Sequence, residues 1–554
     1  MCGIAGIAGF QDDGLLDKMV ASLTHRGSDD VGTFHARDVS LGARRLAVID
    51  PAGGHQPMVG EDGDTAVVLN GEIYNHMQLR AWLEERGHQF TSVCDTEVVL
   101  HGIEEEGVAF LSRMEGMFAL AMWDGPRLLL ARDRLGIKPL LYAQRGGDLL
   151  FASEAKALFR DPELPRDVDR DALGQRFVLG YPLEGRTMFA GVRSLVPGTV
   201  LVWDARSGSV VEETPFWELP KRTIELTDPA NAASELTTVL EDAVRSQLVA
   251  DVPLGAFLSG GVDSALIAVL ANEQMDAPLR TFTLGESHND PDVIAARAVA
   301  ETVGTDHTEL VVAPEDVAAL VPRFVLHMEQ PNYESVFFLA LAEVVRRRMT
   351  VALCGQGADE LFGGYPRYSS PRRYGADVRC TLRRIVSKAS WVNALHTKMS
   401  LMRTSGDLMD HELGPQLTAF QLSVVDRASM AAGLEVRVPY LATPVVELSR
   451  RMDTRLLFES GAAKAVLRRV ARKKLPAEIA DRPKRGAGPF TTPRGALIFE
   501  QEACELMDDR RVARHPYSGF FRRRSELVCM DILVHSLVEG DGRLPEKFTP
   551  GDLY

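Results

Sequence analysis

The chain has 554 residues, 45% of them hydrophobic and 25% charged, with a formal net charge of −15. At a prior of about 150 residues per domain, this length predicts roughly two to four domains with sizeable cores. The acidic balance excludes nonspecific nucleic-acid binding by the whole chain, and the absence of any run of ~18 apolar residues excludes a membrane span of the usual helical kind.

The chain opens Met1-Cys2-Gly3-Ile4-Ala5-Gly6. Removal of Met1 would give Cys2 both a thiol nucleophile and a free α-amine to act as its base. The other cysteines, at 94, 354, 380, 504 and 529, show no metal-ligand spacing and are too sparse for a disulfide scaffold. No basic segment followed by an apolar run marks a secretory leader, so a reducing, cytoplasmic setting is expected.

Short β-branched or alternating runs at residues 40–49, 65–69, 118–123, 127–132, 148–153 and 198–203 predict strands. Helical periodicity appears at 77–86 and 96–106. Two strand layers with helices outside would bury these faces. The pattern weakens over 212–231, which reads as a linker between a unit at 1–211 and one at 232–554. Beyond it, strands at 254–258, 280–284, 309–312 and 350–354 alternate with helices at 262–273, 292–303, 314–328 and 337–348. That alternation predicts a parallel sheet covered on both faces. The rest reads as mostly helical, with basic patches at 468–474 and 482–485.

After the 254–258 strand comes Ser259-Gly260-Gly261-Val262-Asp263-Ser264. Small residues at a strand-to-helix turn expose backbone N–H groups to an anion. Ser259 and Ser264 add hydroxyl donors, and Asp263 suits a Mg²⁺ ion. The loop lacks the Walker spacing and resembles the pyrophosphate-binding loop of the N-type ATP pyrophosphatases. A second glycine-rich turn, Cys354-Gly355-Gln356-Gly357-Ala358-Asp359-Glu360, follows the 350–354 strand and offers Asp359 as a further Mg²⁺ ligand.

Taken together, these segments resemble the glutamine-hydrolysing asparagine synthetase family over nearly the whole chain. The matching motifs include His25-Arg26-Gly27-Ser28-Asp29, Arg45-Leu46, Asn70-Gly71-Glu72-Ile73-Tyr74-Asn75 and Asp95-Thr96-Glu97. They continue with Arg132–Leu140, Asp426-Arg427, Glu435-Val436-Arg437-Val438-Pro439 and Lys464. The resemblance implies an αββα N-terminal-nucleophile sandwich followed by a parallel-sheet ATP-pyrophosphatase domain with a helical C-terminal part. It implies that Cys2 attacks glutamine, that Asn70 and Gly71 form the oxyanion hole, and that Arg45, Glu72 and Asp95 bind the amino-acid end. It implies ATP contacts from Leu258, the 259–264 loop, Leu284, Cys354 and Gly355, with Lys464 as the cation for pyrophosphate. The implied partners are small molecules: glutamine, ATP with Mg²⁺, and a carboxylate acceptor, by default aspartate. No nucleic acid and no membrane enter this scheme, and a homodimer is compatible with it.

Several positions depart from the family pattern. Ser28 stands where proline is usual, Cys354 where serine is usual, and Gln356 where a catalytic glutamate is usual. Glutamine can hydrogen-bond but cannot serve as a base near neutral pH. Residues 329–338 lack the arginine some members use for aspartate and include Phe337 and Phe338, suggesting a more apolar pocket. Tyr440-Leu441-Ala442 replaces Phe-Leu-Asp. These departures keep a second acceptor acid open. Retention of Cys2, Arg45, Asn70 and Asp95 speaks against a cyclising relative of the β-lactam synthetases and against a catalytically dead scaffold.

Overall fold

The structure, a computed structural model, describes residues 1–61, 63–183, 185–384, 390–459, 462–484, 524–538 and 540. Cys504 and Arg485, the last residue of the second basic patch, lie outside the described residues.

The first part of the chain forms β1 (Cys2–Ala8), β2 (Asp30–Ala36), β3 (Val39–Arg45), β4 (Met58–Val59), β5 (Thr65–Ile73) and β6 (Gly116–Asp124). It continues with β7 (Arg127–Arg132), β8 (Leu141–Arg145), β9 (Asp148–Ala152), β10 (Val192–Ser194), β11 (Thr199–Asp204) and β12 (Ser209–Pro215). They build two antiparallel sheets, ordered β10-β8-β9-β1-β3-β2 and β12-β11-β7-β6-β5-β4.

Side-chain alternation along β5 shows how the layers stack. Ala66 and Val68 face the first sheet, where they meet Ile4, Leu41 and Phe151. Val67 and Leu69 face the other way, onto α2 (His76–Glu84) and α3 (Asp95–Glu106) through Leu83 and Val99. Period-two geometry therefore buries both faces of one strand. On the far side of the first sheet, Ile7 and Leu150 pack against α1 (Asp13–Ala21) and α5 (Arg170–Leu179) through Leu16 and Leu173, beside the short α4 (Ala155–Leu158). The result is the expected αββα sandwich. Each fully buried aliphatic side chain contributes ~1.5–3 kcal/mol to holding it.

The second part begins with α6 (Pro229–Ser246), whose Asp228 cap accepts the Asn231 N–H at 2.7 Å. Five parallel strands follow: β13 (Leu254–Phe257), β14 (Arg280–Gly285), β15 (Asp306–Val311), β16 (Val351–Leu353) and β17 (Glu435–Arg437). Their order is β15-β14-β13-β16-β17. The direction of winding reverses between β13 and β16, and ligands of such sheets bind in the crevice beyond those strand ends. The crossovers are α7 (Val262–Asn272), α8 (Pro291–Val303), α9 (Pro314–Ala319), α10 (Val321–Met328) and α11 (Phe337–Arg346). The single helix expected over 314–328 is two, because Pro322 has no N–H to continue the first and fits the opening turn of the second.

The two parts are joined by buried charge. Arg26, fully buried, donates to Glu154 at 2.9 Å and to Asp426 at 2.8 Å. Lys138 also reaches Asp426, at 3.3 Å. Buried ions persist only where paired in this way.

Candidate active sites

Cys2 begins β1 and lies opposite Arg45 of β3. Its backbone N–H donates to Asn70 Oδ1 at 3.0 Å, across the gap between the two sheets. Asn70 Nδ2 is buried without a protein partner. A preset donor beside a nucleophile is what a developing oxyanion requires. Next along β5, Gly71 approaches β6 so closely that a Cβ there would lie 2.0 Å from the Met117 carbonyl oxygen. Gln56 Nε2 sits 3.8 Å from Cys2 Sγ, and Gln56 Oε1 accepts the Leu69 N–H at 2.7 Å. Burial pushes the Cys2 thiol pKa up, against the opposing pull of the Met1 ammonium and Arg45.

Arg45 Nη2 donates to the carbonyls of Ile49 and Asp50 at 2.8 Å, and Nη1 to that of Pro51 at 3.1 Å. Among the described residues no carboxylate pairs with it, so its charge is available to a ligand. Asp95 opens α3, and its Oδ2 accepts the Ile73 N–H at 2.8 Å. Glu72 is buried, its Oε2 without a hydrogen bond but 3.8 Å from Arg437 Nη2. Burial, then Glu435 and Asp95, raise its carboxyl well above the ordinary range. Met1 is present, so the Cys2 nitrogen here is a peptide N–H. The Met1 ammonium donates to Glu435 Oε2 at 2.9 Å and to the Leu46 carbonyl at 3.2 Å.

The second cluster sits at the reversal point of the parallel sheet. Ser264 Oγ accepts the Ser259 N–H at 3.1 Å and contacts Ser259 Oγ at 3.1 Å, closing the loop before α7. Gly260 has φ +69°, and a Cβ there would lie 2.6 Å from Ala295 Cβ on α8. Only glycine fits that left-handed, tightly packed position. Leu258 donates its N–H to Phe282 of β14 at 2.8 Å, two residues before Leu284. Gly355 touches this loop: a Cβ there would be 3.0 Å from Ser264 N. Cys354, in the same turn, has its thiol pushed up by burial to about 11.

Lys464 Nζ lies between Asp263 Oδ2, at 2.5 Å, and Asp359 Oδ1, at 2.6 Å. Lys464 has φ +59° and precedes α12 (Ala465–Ala471) rather than lying within it. Burial opposes its charge, but the two carboxylates hold its pKa above the usual lysine range. Burial and Asp359 raise the Asp263 carboxyl, whose Oδ1 is buried without a partner. Two hard carboxylate donors, one with an orphaned oxygen, fit a magnesium ion.

Residues 1–217 match the family described as glutamine amidotransferase domain, and residues 235–525 match the family described as asparagine synthase. This chain belongs to the asparagine synthase family. It is similar to asparagine synthetase [glutamine-hydrolyzing] 3 of Bacillus subtilis, at 33% identity over 542 residues, covering 87% of this chain and 86% of the relative. A putative asparagine synthetase [glutamine-hydrolyzing] of Mycobacterium tuberculosis is 32% identical over 598 residues, covering 92% and 91%. The protein is a glutamine-dependent amidotransferase joined to an ATP-dependent synthetase, a ligase with glutamine as amide donor.

Within this member of the asparagine synthase family, the departures have visible consequences. Tyr440 is fully buried, and its hydroxyl donates to the Asp263 carbonyl at 3.1 Å, a bond phenylalanine could not make. Phe338 packs edge-on against Phe257 at 5.8 Å between ring centroids. Glu329 accepts the N–H groups of Ala155 and Lys156, both at 2.8 Å, and pairs with Arg427. That carboxylate is committed to joining the two parts of the chain.

Sequence reasoning missed Gln56, Tyr365, Gln421 and Lys484. Lys484 pairs with Asp359, and Tyr365 donates to Glu360 at 2.6 Å. Gln56, Gln421 and Lys484 reach their sites from separate segments, and Tyr365, five residues after Glu360, turns back onto it in a way no spacing marks. A cavity of about 700 Å³ between the two parts, lined by Leu135, Pro139, Trp217, Leu413 and Thr418, includes none of the residues of either cluster. No described helix is long and apolar enough to cross a membrane.

Proposed function

We propose that residues 1–211 hydrolyse glutamine, that 212–231 connect, and that 232–554 adenylate a carboxylic acid and aminate it. With Met1 removed, the Cys2 amine takes the thiol proton and the thiolate attacks the glutamine carboxamide carbon. Asn70 Nδ2 and the Gly71 N–H donate to the oxygen as it gains charge, each worth about 3 kcal/mol. Arg45 grips the α-carboxylate of glutamine, and Glu72 and Asp95 hold its ammonium. Ammonia leaves, and water releases glutamate from the thioester. The observation that carries this reading is the buried, unpaired Asn70 amide nitrogen on a side chain that holds the Cys2 backbone.

In the second half, the acceptor carboxylate attacks the α-phosphorus of ATP and pyrophosphate departs. Leu258, Leu284, Cys354 and Gly355 border the nucleoside, and the 259–264 loop cradles the phosphates. Asp263 and Asp359 would hold Mg²⁺, which when bound neutralises phosphate charge. Lys464 faces the departing pyrophosphate. Ammonia then displaces AMP from the acyl carbon.

Aspartate is the default acceptor, since the curated relatives are named asparagine synthetases. Gln356 favours a second reading, in which another carboxylic acid is the acceptor. A panel of acids supplied with ATP and glutamine decides between them. Turnover of aspartate alone rejects the second reading, and turnover of another acid without aspartate rejects the first. A Cys2→Ala variant that loses glutamine-dependent activity but keeps ammonia-dependent activity supports the whole scheme. Indifference to that change would instead indicate a cyclase.

A further inference from the structure

Gln356 lies one residue beyond the contact between the two glycine-rich loops. Its Nε2 donates to Gln421 Oε1 at 3.3 Å. Gln421 Nε2 donates to Tyr365 Oη at 3.2 Å. Tyr365 donates its hydroxyl proton to Glu360 Oε1 at 2.6 Å. The chain has one direction. A hydroxyl carries one proton, and here it goes to the carboxylate. Tyr365 Oη is therefore an acceptor, which turns the Gln421 nitrogen toward it and the Gln421 oxygen toward Gln356. Gln356 in turn points its nitrogen inward and keeps its carbonyl oxygen as an acceptor. No described residue donates to that oxygen.

We infer that Gln421 and Tyr365 are positioning residues for amide formation, fixing Gln356 Oε1 to accept an N–H of the attacking ammonia. This rests on the function proposed above. In that step the ammonia lone pair forms the C–N bond, the C–O bond to AMP breaks, and AMP leaves with the electron pair. The surplus proton passes from nitrogen to water. Gln356 takes no proton and orients the nucleophile only. A carboxylate at this position has two equivalent oxygens and needs no such orientation. An amide has one accepting end and one donating end, so its flip decides whether it helps or blocks.

The test uses the full chain with ammonia as nitrogen source, counting amide and pyrophosphate together. In Tyr365→Phe and Gln421→Leu, pyrophosphate release should stay within about twofold of the unmodified chain. Amide formed per pyrophosphate should fall about tenfold or more, with KM for ammonia raised. Adding Gln356→Glu to either variant should restore the ratio. An unchanged ratio, or a loss that Gln356→Glu does not relieve, overturns the inference. Failure of the underlying function would show differently, as no ammonia-dependent amide from the unmodified chain.

Discussion

Asn70 accepts the Cys2 N–H through its side-chain oxygen, and this leaves its amide nitrogen buried and unpaired beside the thiol. One side chain thus fixes the nucleophile's backbone and offers a donor. Asn70→Ala should lower kcat for glutamine hydrolysis by about 10²–10³, with ammonia-driven synthesis unchanged. Steady-state glutamate release measures it. A loss below about threefold would remove Asn70 from the oxyanion role.

Lys464 bridges Asp263 and Asp359, and Lys484 also pairs with Asp359. Lys464→Met should abolish ATP-dependent pyrophosphate release while glutaminase activity persists. Asp263 then lacks its cation while Asp359 keeps Lys484, so the fold should lose stability. Added Mg²⁺ should recover part of the lowered Tm. A variant with normal Tm and normal pyrophosphate release would contradict this role.

Tyr440 holds the first turn of α7 through the Asp263 carbonyl. Tyr440→Phe should cost about 1 kcal/mol of stability, the net worth of one hydrogen bond. Denaturant unfolding reads this directly. KM for ATP should rise alongside, because the same turn carries Asp263.

Glu435 sets an acid limit. Burial alone would raise its carboxyl, but in the chain that keeps Met1 the Met1 ammonium, Arg437 and Lys138 hold it down to about 2. A depressed carboxylate stabilises the fold above its ordinary value of 4.5 and loses that contribution as pH falls toward 2. Glu435→Gln should therefore be less stable at pH 7 and lose stability less steeply below about pH 4.5. Unfolding midpoints measured across that window test the sign.

The sequence made the αββα and parallel-sheet layers legible where hydrophobic period and strand register agree, as over 127–132 and 262–273. It stopped β5 at Leu69, although the strand runs on through Ile73. Asn70 and Glu72 break the apolar pattern with two polar side chains on one face of the strand, the face proposed above to hold glutamine. β1 escaped notice because Gly3, Ala5 and Gly6 lower its strand propensity while its neighbours on both sides supply the packing. Cys2 and Asp263 stood out from short local patterns, whereas Asn70 and Lys464 entered only through the family resemblance. Gln421 and Tyr365 were not, because their meaning lies in a hydrogen-bond direction that only the folded chain creates.

Met1 is 1% exposed, and its ammonium rests on a residue 434 positions later in the chain. An aminopeptidase needs a free, extended N-terminus. On the function proposed above, removal of Met1 would therefore have to come before the Glu435 segment closes over it, and the order of trimming and folding would decide whether Cys2 gains its free amine.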